Sequence, residues 1–148
     1  MGEGFRRTLA LVWLVCLVAI LTGTEGLARQ RVMYKGLTAG ISTIDDTVRI
    51  LGTPRSKVFA GDHLFCKYRQ VDVKIDKKDK RVLAIIIRDD QFKDPNGIVL
   101  GDPYDKVARK VNAKPQGVTL YDAENGIVYV FNQEGMVDSI MYASPAGR

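Results

Sequence analysis

"GISTIDDTVRILGTP" occupies residues 40–54 and "VLGDPYDKVARKVNAKP" occupies residues 99–115. Both stretches run through a glycine, a capping residue, an acid, a short apolar stripe and a proline. In the first, Ser42 or Thr43 caps a helix and Asp45 and Asp46 fill its first turn, where the helix dipole favours negative charge. Ile44, Val48 and Leu51 form one apolar stripe, Gly52 ends the helix and Pro54 prevents its resumption. In the second, Asp102 caps, Pro103 takes the first helical position and Asp105 comes next in the first turn. Its stripe is Tyr104, Val107 with Ala108, and Val111; Asn112 replaces the stop glycine and Pro115 closes. Two such segments about sixty residues apart signal duplication of a supersecondary unit.

The segments downstream of the two helices also match. β-Branched and aromatic runs predict strands near 57–60, 63–69, 71–76 and 82–88 after the first helix, and near 117–121, 127–132 and 136–142 after the second. The turns between them are rich in glycine, aspartate and asparagine. The expected fold is therefore α+β: two tandem helix-plus-antiparallel-meander repeats sharing a sheet and core, preceded by an N-terminal signal segment. The first repeat spans 36–88 and the second 98–142, with 89–97 as connector and 143–148 as tail. Plain alternation along "RVLAIIIRD" turns Val82, Ala84 and Ile86 to one face and Leu83, Ile85 and Ile87 to the other. A strand apolar on both faces is covered on both, by a helix on one side and by the second copy or a partner on the other.

The start of the chain has a different character. Arg6 and Arg7 precede an uncharged, aliphatic-rich run from Thr8 to Thr24, and small residues at Gly26 and Ala28 suit cleavage after Ala28. Two readings stand for residues 1–28: a cleaved secretory signal, or an anchor holding the protein in the inner membrane through residues 8–24. Both place the folded part outside the cytoplasm, periplasmic or envelope-associated, with membrane contact only through an uncleaved segment. The net charge of +5 lies outside this segment, because its two arginines cancel Glu3 and Glu25. In an exported protein that charge points away from nucleic acid. It fits anionic lipid, envelope polysaccharide, an acidic protein, or simply a solvated basic surface.

Residues 36–142 resemble the SmpA/OmlA (BamE-like) repeat family and the tandem-repeat β-lactamase-inhibitor-protein fold. The pattern G-x-S/T-x-x-D, a helical stripe, Gly-x-Pro and a closing V-x-x-I is carried by Gly40, Ser42, Asp45, Leu51, Gly52, Pro54, Val82 and Ile85. In the second stretch it is carried by Gly101, Asp105, Val111, Pro115, Val137 and Ile140. The resemblance implies an envelope or secreted protein that works by binding another protein. This chain lacks the lipobox of the outer-membrane members and the paired cysteines of the secreted inhibitors.

No catalytic set emerges. "DHLFC" brings His63 and Cys66 close in sequence, but residues three apart on a strand point to opposite faces. No metal-ligand spacing and no phosphate-binding loop occur, and no cofactor is expected. The leading expectation is a non-enzymatic protein-binding module whose sheet presents Phe65, Tyr68, Tyr121, Tyr129 and Phe131 to an envelope or secreted protein. The alternative is a basic hairpin, Lys74, Lys77, Lys78, Lys80 and Arg81, binding anionic lipid head groups or polysaccharide. A weaker alternative is a thiol enzyme using Cys66.

Overall fold

The computed structural model describes residues 31–144. The signal or anchor expected at residues 1–28 lies outside the described residues, as does most of the tail. Helix α1 (Ile44–Leu51) opens on a reciprocal cap: the Asp46 amide donates to the Thr43 hydroxyl at 3.3 Å, and the Thr43 amide donates to the Asp46 carboxylate at 2.9 Å. Thr43 is thus the cap, and the two reciprocal bonds satisfy two donors that a bare helix start leaves open. Gly52, at φ 81°, ends the helix. The inward face runs through Ile44, Thr47 and Leu51, while Val48 is 40% exposed, so the expected stripe is rotated by one residue. Thr47 is tolerated inside because its hydroxyl donates to the Thr43 carbonyl at 2.9 Å.

Helix α2 (Tyr104–Lys110) begins after Pro103, which is its cap residue. Asp102 instead braces the approach, accepting the Val99 amide at 3.0 Å and the Lys106 ammonium at 2.6 Å. Tyr104, Val107 and Val111 face inward; Ala108 is exposed.

The strands are β1 (Ser56–Ala60), β2 (His63–Lys67), β3 (Val71–Asp76), β4 (Val82–Ile87), β5 (Lys114–Gln116), β6 (Thr119–Asp122), β7 (Ile127–Phe131) and β8 (Val137–Ala143). They form one eight-stranded antiparallel sheet in the order β1-β2-β3-β4-β8-β7-β6-β5. This overturns the expected α+β class of two helix-plus-meander repeats. Among the described residues helix makes up 13% and strand 41%, so this part of the chain is mainly sheet with two short helices. Two-turn helices of this size are too small to form a layer, and they serve to cover part of one sheet face. The strands after α2 also number four, because Lys114–Gln116 pairs with Thr119–Tyr121 where the sequence indicated only a helix stop.

Two bulges decide which residues face inward. In β4, Ala84 pairs with Lys74 but Val82 pairs with Ile75, leaving Leu83 as an extra residue. In β8, Ser139 pairs with Val130 but Val137 pairs with Phe131, leaving Asp138 extra. A residue inserted this way reverses the alternation behind it. Val82 therefore shares a face with Ile85 and Ile87, correcting the expectation that it sides with Ala84 and Ile86. Val137 likewise joins Ile140 and Tyr142; all six side chains are buried. Each inward valine also receives the chain entering a helix. Gly40 donates to the Val82 carbonyl at 2.7 Å and Val82 to Ser42 at 2.8 Å; Gly101 donates to Val137 at 2.8 Å and Val137 to Asp102 at 2.9 Å. The covered face, with Leu64, Cys66, Val73, Leu120 and Tyr129, packs under α1, α2, Tyr34, Leu37 and Ile98.

Candidate functional site

Among the described residues the other face of the sheet is left open. Along β2, β3, β6 and β7, buried positions alternate with half-buried ones, the signature of a sheet covered on one side. Register continues one row across all eight strands: Ser56, Lys67, Asp72, Ile86, Met141, Val128, Tyr121 and Lys114. Directly paired residues share a face, so Ile86, Met141, Val128 and Tyr121 form a continuous apolar band at mid-sheet. Lysines stand towards both ends of the row. A second row runs Val58, Phe65, Lys74, Ala84 and Ala143. Phe65, Ile86, Met141, Val128 and Tyr121 lie outside the packed core.

The charges on this face are ordered. The Asp72 carboxylate accepts the Arg88 guanidinium at 2.8 Å, which neutralises it. The Lys74 ammonium lies 5.9 Å from the Phe65 ring centroid, within range for a cation–π contact. Lys67, Lys74 and Lys114 leave the apolar band with a basic rim.

The five expected aromatic contact residues do not form one site. Phe65 and Tyr121 stand on the open face. Tyr129 and Phe131 lie in the core on the covered face, Phe131 with its ring 5.1 Å from that of Tyr104. Tyr68 is half-buried against the core, and its hydroxyl donates to the Gly52 carbonyl at 3.3 Å. Sequence reasoning missed Ile86, Met141 and Val128, whose signal was present as the alternate members of two-faced apolar strands.

The basic hairpin is also divided. Lys74 is on β3 and faces the open side, whereas Lys77, Lys78 and Lys80 sit in the turn beyond it. The Lys77 ammonium donates to the Gly61 carbonyl at 3.0 Å. The Asp76 carboxylate accepts the Asp79 and Lys78 amides, and these bonds hold its carboxyl below the usual range. The Arg81 guanidinium donates to the Gly40 carbonyl at 3.4 Å. The turn thus interleaves carboxylates with its cations and spends several of its groups on local structure.

Cys66 is 0% exposed on the covered face, and burial pushes its thiol up, away from the reactive thiolate. His63 pairs with Asp76 and Cys66 with Val73, on alternate sides of the sheet. Among the described residues no group of three or more histidine, cysteine, aspartate or glutamate side chains is placed to hold a metal ion, and no helix is long and apolar enough to cross a membrane. Buried polar groups are structural in character: the Tyr129 hydroxyl donates to Asp94 at 2.5 Å and accepts from the Asn96 side chain at 2.9 Å.

No family model matches the sequence, and no curated protein matches it. The structure is similar to the 1.5 Å crystal structure of an extracellular protein containing an SCP domain from Bacillus anthracis, with a TM-score of 0.49 and 10% identity. The match covers 70% of this chain and 43% of that one, so this chain spans less than half the length of that protein.

Proposed function

We propose that this chain is an exported, non-enzymatic protein-binding module that engages its partner through the open face of its sheet. The observation that carries this reading is the cross-sheet row: Ile86, Met141, Val128 and Tyr121 adjoin one another on four strands, outside the packed core. A half-exposed apolar band with lysines around it suits a protein surface that has an apolar centre and acidic residues at its edge. The basic, aliphatic-rich segment at residues 6–24 supports export to the periplasm or envelope. The resemblance to SmpA/OmlA-type proteins, which implies binding to another protein, supports the same role.

Site-specific photo-cross-linking in the full chain tests it. A photoreactive residue at Met141 is expected to give a discrete protein adduct, and the same residue at Arg49 on α1 is expected to give none. Tyr121→Asp should remove the Met141 adduct. Absence of a protein adduct at Met141, or equal adducts at both positions, overturns the proposal.

A further inference from the structure

The two ends of the sheet are not alike. β5 is three residues long and contains Pro115, which has no N–H to offer a neighbouring strand. β1 has five residues, all exposed, with no proline among them. Val58 is 44% and Phe59 66% exposed. The guards of this edge are cations alone, Lys57 on the strand and the Lys77 ammonium 5.5 Å from the Phe59 ring centroid. An edge with no proline to remove its donors is a template for another strand.

The register shows which strand it fits. Ala60 and His63 face each other across the two-residue turn Gly61-Asp62, so they exchange hydrogen bonds, and alternation extends this to Val58 with Phe65 and Ser56 with Lys67. The backbone groups of Lys57 and Phe59 are then the ones directed outward. We propose that β1 of a second copy of this chain pairs here, antiparallel, about a two-fold axis through Val58.

In that register Lys57 lies opposite Phe59 of the second copy, and Phe59 opposite its Lys57. The two pairs exchange four backbone hydrogen bonds and set each ammonium beside an aromatic ring. The two Val58 side chains meet in the non-hydrogen-bonded pair between them, where side chains approach most closely. Centring the axis on Lys57 instead places like charges opposite each other, and centring it on Phe59 leaves a single hydrogen-bonded pair within the strand. The sequence SKVFA therefore selects one register against its neighbours. A two-fold axis normal to the sheet keeps both open faces on one side, joining them into one platform. The pairing rests on the edge alone and stands or falls separately from the binding role proposed above.

Cysteine scanning in the full chain tests the register, using a Cys16→Ser background in which Cys66 is buried. Under mild oxidation Val58→Cys is expected to form a disulfide-linked dimer at least tenfold faster than Lys57→Cys or Phe59→Cys. In those variants the two cysteines are offset by two residues on paired strands, beyond the ~7 Å between Cα atoms that a disulfide spans. Adding Phe59→Pro to Val58→Cys removes outward donors while sparing the bonds to β2, and is expected to cut dimer formation at least tenfold with an unchanged unfolding midpoint. Equal dimer yields at positions 57, 58 and 59 overturn the proposal, because another part of the chain is then bringing the copies together. A Val58→Cys chain that links only to other proteins also overturns it. So does a folded Phe59→Pro variant that dimerises as before.

Discussion

Tyr142 and Tyr129 are both buried on the covered face, yet their hydroxyls differ in kind. That of Tyr129 lies between Asp94 and Asn96, while that of Tyr142 has no hydrogen-bond partner among the described residues. Burial raises the pKa of both, so each stays a neutral phenol. A buried hydroxyl without a partner carries its desolvation cost uncompensated. Tyr142→Phe is therefore expected to leave stability unchanged or raise it by up to about 1 kcal/mol, while Tyr129→Phe costs about 1–3 kcal/mol by taking the donor from Asp94 Oδ2, Oδ1 keeping the Ile98 amide; urea unfolding midpoints read both. Two carboxylates give opposite pH dependences. Burial raises the Asp94 pKa, so its contribution favours folding below the ordinary carboxylate range and is lost as pH rises through the raised value. Asp46 is lowered from 3.8 to about 2, first by the Thr43 amide and then by Arg49. Its stabilisation is present above pH 3.8 and fades as pH falls towards 2. Asp46→Asn is accordingly expected to be less stable than the parent at neutral pH, and the difference should shrink as pH falls from 3.8 through about 2 and vanish only below that. A difference that persists there would contradict the capping role.

At the scale of elements, the bulges at Leu83 and Asp138 turn a valine inward and so fasten a helix. Deleting Asp138 restores plain alternation, sends Val137 to the open face and breaks its bonds to Gly101 and Asp102. The expected loss is at least about 2 kcal/mol from the exposed valine alone, visible as a lower melting temperature and faster amide exchange in α2. Both helices were legible because their signals are chemical and local: the Thr43–Asp46 cap, the Gly52 stop and Pro103 beside the start of α2. The face assignment was not. An inserted residue leaves no mark in composition, so two-residue periodicity placed Val82 with Ile86. Strand β5 was missed for a related reason: Pro115 has the same local meaning after a helix as it has on a sheet edge. The class was misjudged because a clear helix signal says nothing about how little of the chain is helical.

For the molecule as a whole, β4 and β8 are the seam. Ile85 pairs with Tyr142 and Ile87 with Ile140, all four buried. One sheet and one core shared across this seam imply cooperative unfolding. Ile87→Ala is expected to cost about 2–5 kcal/mol while keeping a single transition by circular dichroism, with amides on both sides losing protection together. Two separated transitions would show that the seam is not energetically continuous. The open face proposed above for binding was half legible: aromatic content marked Phe65 and Tyr121, but the bulges and register were needed to exclude Tyr129 and Phe131 and to bring in Ile86, Met141 and Val128. Pro115 has one more consequence. A sheet able to accept a neighbour at both margins could propagate into a filament, whereas this one is sealed at the β5 margin. Any strand-to-strand assembly through β1 therefore stops at two copies, and raising the concentration drives completion of pairs, not fibre growth.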